Sequence, residues 1–208
     1  MSKDIYRRTF QKAKDVITNV FKLELGAVEL VSGGAAWSDH IAVQLFLLGD
    51  IGSLTLHLPC PWDDSKSQFL ESGSKRSPGT ISNTLHRMFS SVVKEDSLKQ
   101  INDAIQVGAV TQVHNGFLKR NCSVAKSEYL VAFTWGKGSV PKEGGTLNTW
   151  MKCKGRKVHI PLDSLLSDGR KRQVPIDSLL SDVGTSVVEK EQKRMKRCEE
   201  VKLQKLST

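Results

Sequence analysis

Short apolar runs alternate with amphipathic stretches through the first 160 residues, and that alternation commits the chain to a mixed α/β architecture. Residues 27–32 (AVELVS), 54–58 (LTLHL), 109–114 (AVTQVH), 129–135 (YLVAFTW) and 157–162 (KVHIPL) are brief and apolar, the signature of strands. Residues 9–23 place Phe10, Ala13, Ile17, Val20 and Phe21 on one helical face with lysines on the other. Residues 39–48, 81–93, 96–108, 118–127 and 146–154 also read as helices, and the Ser-, Gly- and Asp-rich residues 62–80 as a loop. Strands alternating with helices of this length imply parallel β-α units with covered faces. In such sheets, ligands bind beyond the carboxyl ends of the strands.

A length of 208 residues fits one ordinary domain and an appendage. No stretch approaches the ~20 apolar residues of a membrane span, and MSKDIYRRTF lacks the apolar core of a secretory signal. Cys60, Cys122, Cys153 and Cys198 form no C-x-x-C, and the five histidines form no H-x₃-H pair. The expectation is therefore no metal and no cofactor. Free thiols suit a reducing compartment, so a cytoplasmic location is expected, with no membrane partner.

Two glycine turns stand where the sheet rule wants a ligand. The first is Val31-Ser32-Gly33-Gly34-Ala35-Ala36-Trp37-Ser38-Asp39, a strand running through paired glycines into a helix. Glycine lets backbone N–H groups approach a ligand closely, and a helix start favours an anion. The competing reading is a tight turn with Ser38 or Asp39 as helix N-cap. The second turn, Glu143-Gly144-Gly145-Thr146-Leu147-Asn148-Thr149, follows YLVAFTW and offers the hydroxyls of Thr146 and Thr149 and the amide of Asn148. Between them, Gly116-Phe117-Leu118-Lys119-Arg120-Asn121 precedes that same strand. A guanidinium at Arg120 can clamp a phosphate through paired hydrogen bonds. Trp135 and Trp150 flank the second turn; each can stack on a base or pack in the core.

The order V-S-G-G-A-x-x-x-D, G-F-x-x-R-N-x-x-x-A, apolar strand, G-G-T-x-x-T resembles the SLOG superfamily over residues 5–162. That superfamily includes DprA, LOG-type phosphoribohydrolases and nucleotide-sensing domains. The resemblance implies a Rossmann-like three-layer parallel sheet and a nucleotide or nucleotide-derived ligand. Its phosphate would lie on Ser32, Gly33, Gly34, Asp39, Gly144, Gly145, Thr146, Asn148 and Thr149, with Arg120 and Asn121 alongside. Two departures stand out. The glutamate that LOG-type enzymes carry after the glycine turn is replaced by Leu147, Asn148, Thr149 and Trp150, leaving Glu143 and Asp39 as the nearby acids. The family's first strand and Gly-Ser-Arg-like turn align with Tyr6–Phe10, preceded only by MSKDI. The sheet is thus expected to lack its usual first strand, or to use residues 1–6 as an edge-like substitute.

Residues 159–168 (HIPLDSLLSD) recur at 173–182 as QVPIDSLLSD. The first copy is expected to close a domain spanning residues 1–162. The second belongs to a 163–208 extension ending in a charged, partly helical or disordered run. The net charge of +9 is concentrated in residues 1–22 and 142–157, each +4, beside the proposed phosphate loops rather than in the tail. That distribution favours a small anionic ligand. The expected function is binding of a nucleotide or related phosphorylated ligand. A nucleotide N-glycosidase of the phosphoribohydrolase type and DprA-like single-strand DNA binding are the alternatives. Aromatics at 6% are few for stacking on nucleic acid. A homodimer is left open.

Overall fold

The computed structural model describes residues 1–166. Helix α1 (Lys3–Asp15) starts where Ser2 Oγ accepts from the Ile5 amide at 3.3 Å and Asp4 sits in the first turn, both favourable at the positive helix end. It runs on through a π-helical turn, Val16–Val20. The helix therefore begins six residues earlier than its apolar periodicity suggests. Tyr6 to Phe10 lie inside it, so they form no glycine-like turn, and residues 1–6 supply no strand.

Strand β1 (Glu29–Ser32) leads through a 3₁₀ turn (Trp37–Asp39) into α2 (His40–Leu47) and β2 (Ser53–Leu58). A two-residue hairpin, β3 (Trp62–Asp63) with β4 (Gln68–Phe69), interrupts the stretch expected as loop. Then come α3 (Pro78–Val93), α4 (Ser97–Gln106), β5 (Val110–Val113), α5 (Phe117–Val124), β6 (Tyr129–Thr134), α6 (Gly144–Lys152) and β7 (Arg156–Pro161). Pro78 occupies the first turn of α3, where its missing N–H costs nothing, and Ser77 caps it.

The five longer strands fall into two parallel sheets. One has the order β1-β2-β5, with Leu30 opposite Leu54 and Leu56 opposite Thr111. The other pairs β6 with β7, Val131 opposite Val158. Strand β2 is central, and Leu54, Leu56 and Leu58 are fully buried. Strand β5 is an outer edge exposed along its whole length. Helix α2 packs on α4 and α3 on α4, while α5 packs on α6. The fold is thus mixed α/β with parallel strands.

Among the described residues, no helix is long and apolar enough to cross a membrane. The second copy of the repeat and the charged run lie outside the described residues.

Candidate functional site

The loop after β1, residues Arg120, Asn121 and Val124 of α5, strand β6 and the start of α6 line an open cavity of about 470 Å³. Of the residues singled out from sequence, Asp39, Arg120, Asn121, Gly145, Thr146 and Thr149 line it together. Ser32 and Gly33 line a neighbouring slot instead, and Gly34, Gly144 and Asn148 line neither.

Arg120 is the charged centre. It is 9% exposed, and its Nη1 donates to Asp39 Oδ2 at 3.1 Å. Its Nε is buried without a hydrogen-bond partner. A buried donor left unpaired costs ~1–3 kcal/mol, more on a charged group, so an incoming acceptor would be rewarded. Asp39 precedes α2 but makes no side-chain cap. Its carboxylate faces Arg120 across 81 residues of sequence, so the N-cap reading is replaced by an ion pair.

The glycine loop is shaped around that guanidinium. A Cβ on Gly33 would overlap the Arg120 side chain. Gly34 has φ +61°, and a Cβ there would stand 2.7 Å from Leu58 Cδ2. Ser32 Oγ accepts from the Gly34 amide at 3.1 Å and donates to the Asp39 carbonyl at 2.9 Å, closing the loop on itself. On the other side of the cavity, Asn121 Nδ2 donates to the Gly145 carbonyl at 3.3 Å, tying α5 to the first turn of α6. Thr149 Oγ1 donates to the same carbonyl at 3.1 Å. Helix α6 begins at Gly144 itself, so the glycines are its first turn rather than a preceding loop.

Several residues that brace the site carried no sequence motif. His86 is buried on α3. Its Nε2 donates to the Gly34 carbonyl at 3.1 Å, and its Nδ1 lies 2.9 Å from the Ser97 hydroxyl. Burial lowers its pKa to about 4, so the ring is neutral at pH 7. His40 is also buried, donating from Nε2 to Gln100 Oε1 at 2.6 Å, and burial lowers its pKa to about 3. Trp37 lines the cavity with φ +68°, a left-handed conformation rare for a bulky side chain, and its ring packs 5.0 Å from Phe89. The one usable signal for these groups was the placement of two histidines in amphipathic helices.

The two flanking tryptophans part company. Trp135 is 48% exposed on the cavity wall, whereas Trp150 is buried with Lys157 Nζ 5.1 Å above its ring. Glu143 is exposed and outside the cavity. Among the described residues, Asp39 is the one carboxylate lining it. The charge of residues 1–22 is largely engaged: Lys3, Arg8, Lys12 and Lys14 pair with Glu95, Asp4, Asp15 and Asp50. Among the side chains that line the cavity, Arg120 supplies the positive charge.

No family model matches the sequence, and no solved structure matches it. A protein of Acanthamoeba polyphaga mimivirus, "Uncharacterized protein R261", is 37% identical over 169 residues, which cover 80% of this chain and 88% of the viral protein.

Proposed function

The chain belongs to one family with the mimivirus protein R261, and for it we propose a nucleotide-binding role: reversible capture of a nucleotide or related phosphorylated molecule in the cavity around Arg120. One observation carries this reading. A buried guanidinium with an unpaired Nε stands between two glycine-containing strand-to-helix connections. The proposal includes the finer fold, a Rossmann-like sheet of the SLOG kind. The chain builds β1, β2 and β5 outward in one direction and then β6 and β7 apart from them. That reversal would make the β1/β6 junction the crevice where such sheets hold ligands. The phosphate would sit on Arg120 and the first turn of α6, a nine-residue helix. Exposed Trp135 would take a base face. With Asp39 engaged by Arg120, binding accounts for the site better than acid–base chemistry does.

Differential scanning fluorimetry with AMP, ADP, ATP, cyclic mononucleotides and inorganic phosphate tests this. Binding at a hundredfold excess over Kd stabilises by ~2.7 kcal/mol, so Tm should rise by roughly 5–10 °C. Arg120→Ala should abolish the rise. A panel without any shift in the wild-type protein refutes the proposal.

A further inference from the structure

Helices α5 and α6, which carry Arg120, Asn121, Gly145, Thr146 and Thr149, are tied by hydrogen bonds at two points. At the cavity the tie is the Asn121 amide on the Gly145 carbonyl. Farther along, Lys152 Nζ, on the last residue of α6, donates to Cys122 Sγ at 3.0 Å across 30 residues of sequence. The Cys122 thiol donates in turn to the Leu118 carbonyl at 3.2 Å, one turn earlier in α5. Its hydrogen thus points along its own helix, and the sulfur turns a lone pair to the lysine. Neither residue lines the cavity.

The thiols differ in what can reach them. Cys122 and Lys152 are both exposed. Cys60 is half-buried, which pushes its thiol pKa up. Cys153 is buried, its thiol donating to the Ser127 carbonyl at 3.5 Å. A peroxide converts an accessible thiol to a sulfenic acid, whose sulfur is electrophilic. That sulfur condenses with a neighbouring thiol or nitrogen; otherwise oxidation runs on to the sulfinic acid, which thiols do not reverse. At Cys122 the nucleophile in place is an amine at 3.0 Å, as close as the ~3–3.5 Å of a near-attack arrangement.

We propose that Cys122 and Lys152 are an oxidation-driven modification site, at which a sulfenamide bond joins α5 to α6 reversibly. Hydrogen peroxide is the oxidant. The Cys122 sulfur attacks a peroxide oxygen, the O–O bond breaks, and one water leaves as the thiol becomes a sulfenic acid. The neutral Lys152 amine then attacks that sulfur. The S–O bond breaks, the departing hydroxide takes the amine proton, and a second water leaves. In sum, one thiol, one amine and one hydrogen peroxide give one S–N bond and two waters. Two further thiols reverse it, restoring thiol and amine and leaving their own disulfide. The bond closes on the two helices that share the cavity wall, so it holds them to each other. The inference is independent of what the cavity binds.

The test treats the full 208-residue chain with a small excess of hydrogen peroxide at mildly alkaline pH. Free thiols are then blocked and tryptic peptides are read by mass spectrometry. A modified Lys152 resists trypsin. Residues 121–126 should therefore appear joined to residues 143–154, lighter than their sum by about 2 Da, the two hydrogens lost. Dithiothreitol should release them. Lys152→Arg should remove the joined pair and raise the sulfinic acid at Cys122 about fivefold or more, because the diverting amine is gone. Cys122→Ser should remove both products. The inference is overturned if Cys122 reaches sulfinic acid equally fast with and without Lys152. A disulfide also overturns it: pairing with Cys153 leaves Lys152 cleavable and joins residues 121–126 to 153–154, and pairing with Cys198 joins them to 198–202. A joined pair heavier than its sum by about 14 Da keeps an oxygen between nitrogen and sulfur, and overturns the direct bond.

Discussion

Gly33, Asp39 and Arg120 behave as one object, because the guanidinium lies where a side chain on residue 33 would have to go. Gly33→Ala should therefore destabilise by about 1–3 kcal/mol through overpacking. In an Arg120→Ala background the same change should cost less, since of the crowding atoms the Asp39 carboxylate oxygen, 2.8 Å from the added Cβ, alone remains, a non-additivity that paired urea titrations will read directly. The buried histidines make a second prediction. His40 and His86 have folded-state pKa values of about 3 and about 4, below the ordinary histidine value. Below that value the unfolded chain binds the extra protons. Their contribution is fully present above pH 6.5 and is lost as the pH falls toward 4 for His86 and 3 for His40. By pH 5 each should have cost roughly 2 kcal/mol. Urea midpoints between pH 7 and 5 should fall steeply, and His86→Gln should flatten that fall.

At the scale of elements, β7 shows what a strand demands of its sequence. Val158 is buried opposite Val131. His159, beside it, donates from Nδ1 to the Gly138 carbonyl at 3.0 Å and accepts from Thr134 Oγ1 at 2.8 Å. In the duplicated segment the matching residues are Arg172 and Gln173. Val158→Arg should destabilise by at least ~3 kcal/mol, because it buries an unpaired charge. His159→Gln should cost only about 1 kcal/mol, since an amide can both donate and accept. Chemical denaturation of the two variants decides this. Strands and helices of this kind are legible in the sequence because burial imposes a period on them. The hairpin at Trp62 and Phe69 is not, since two-residue strands have no period to read. The early start of α1 is masked because the cap at Ser2 lies eight residues ahead of Phe10, with Ile5 and Tyr6 the apolar residues between them. The glycine loops and Arg120 were legible as candidates. Their meeting was not, because it depends on a contact between residues 39 and 120 that no local pattern encodes.

Across the whole molecule, the two parallel sheets are joined by side chains and not by a backbone ladder. Cooperativity should reflect this. Two single-tryptophan variants, one retaining buried Trp150 in the β6–β7 part and the other retaining Trp62 beside Phe69, should unfold in urea at different midpoints. Coincident transitions would show that helix packing alone welds the molecule into one unit. The same seam has a consequence for descent. A ladder couples two strands through register, so an insertion in one disturbs every pairing along the other. A seam of side chains transmits no register. A change of length on one side of the seam therefore need not be matched on the other, while Gly33, Asp39 and Arg120 are coupled by direct contact.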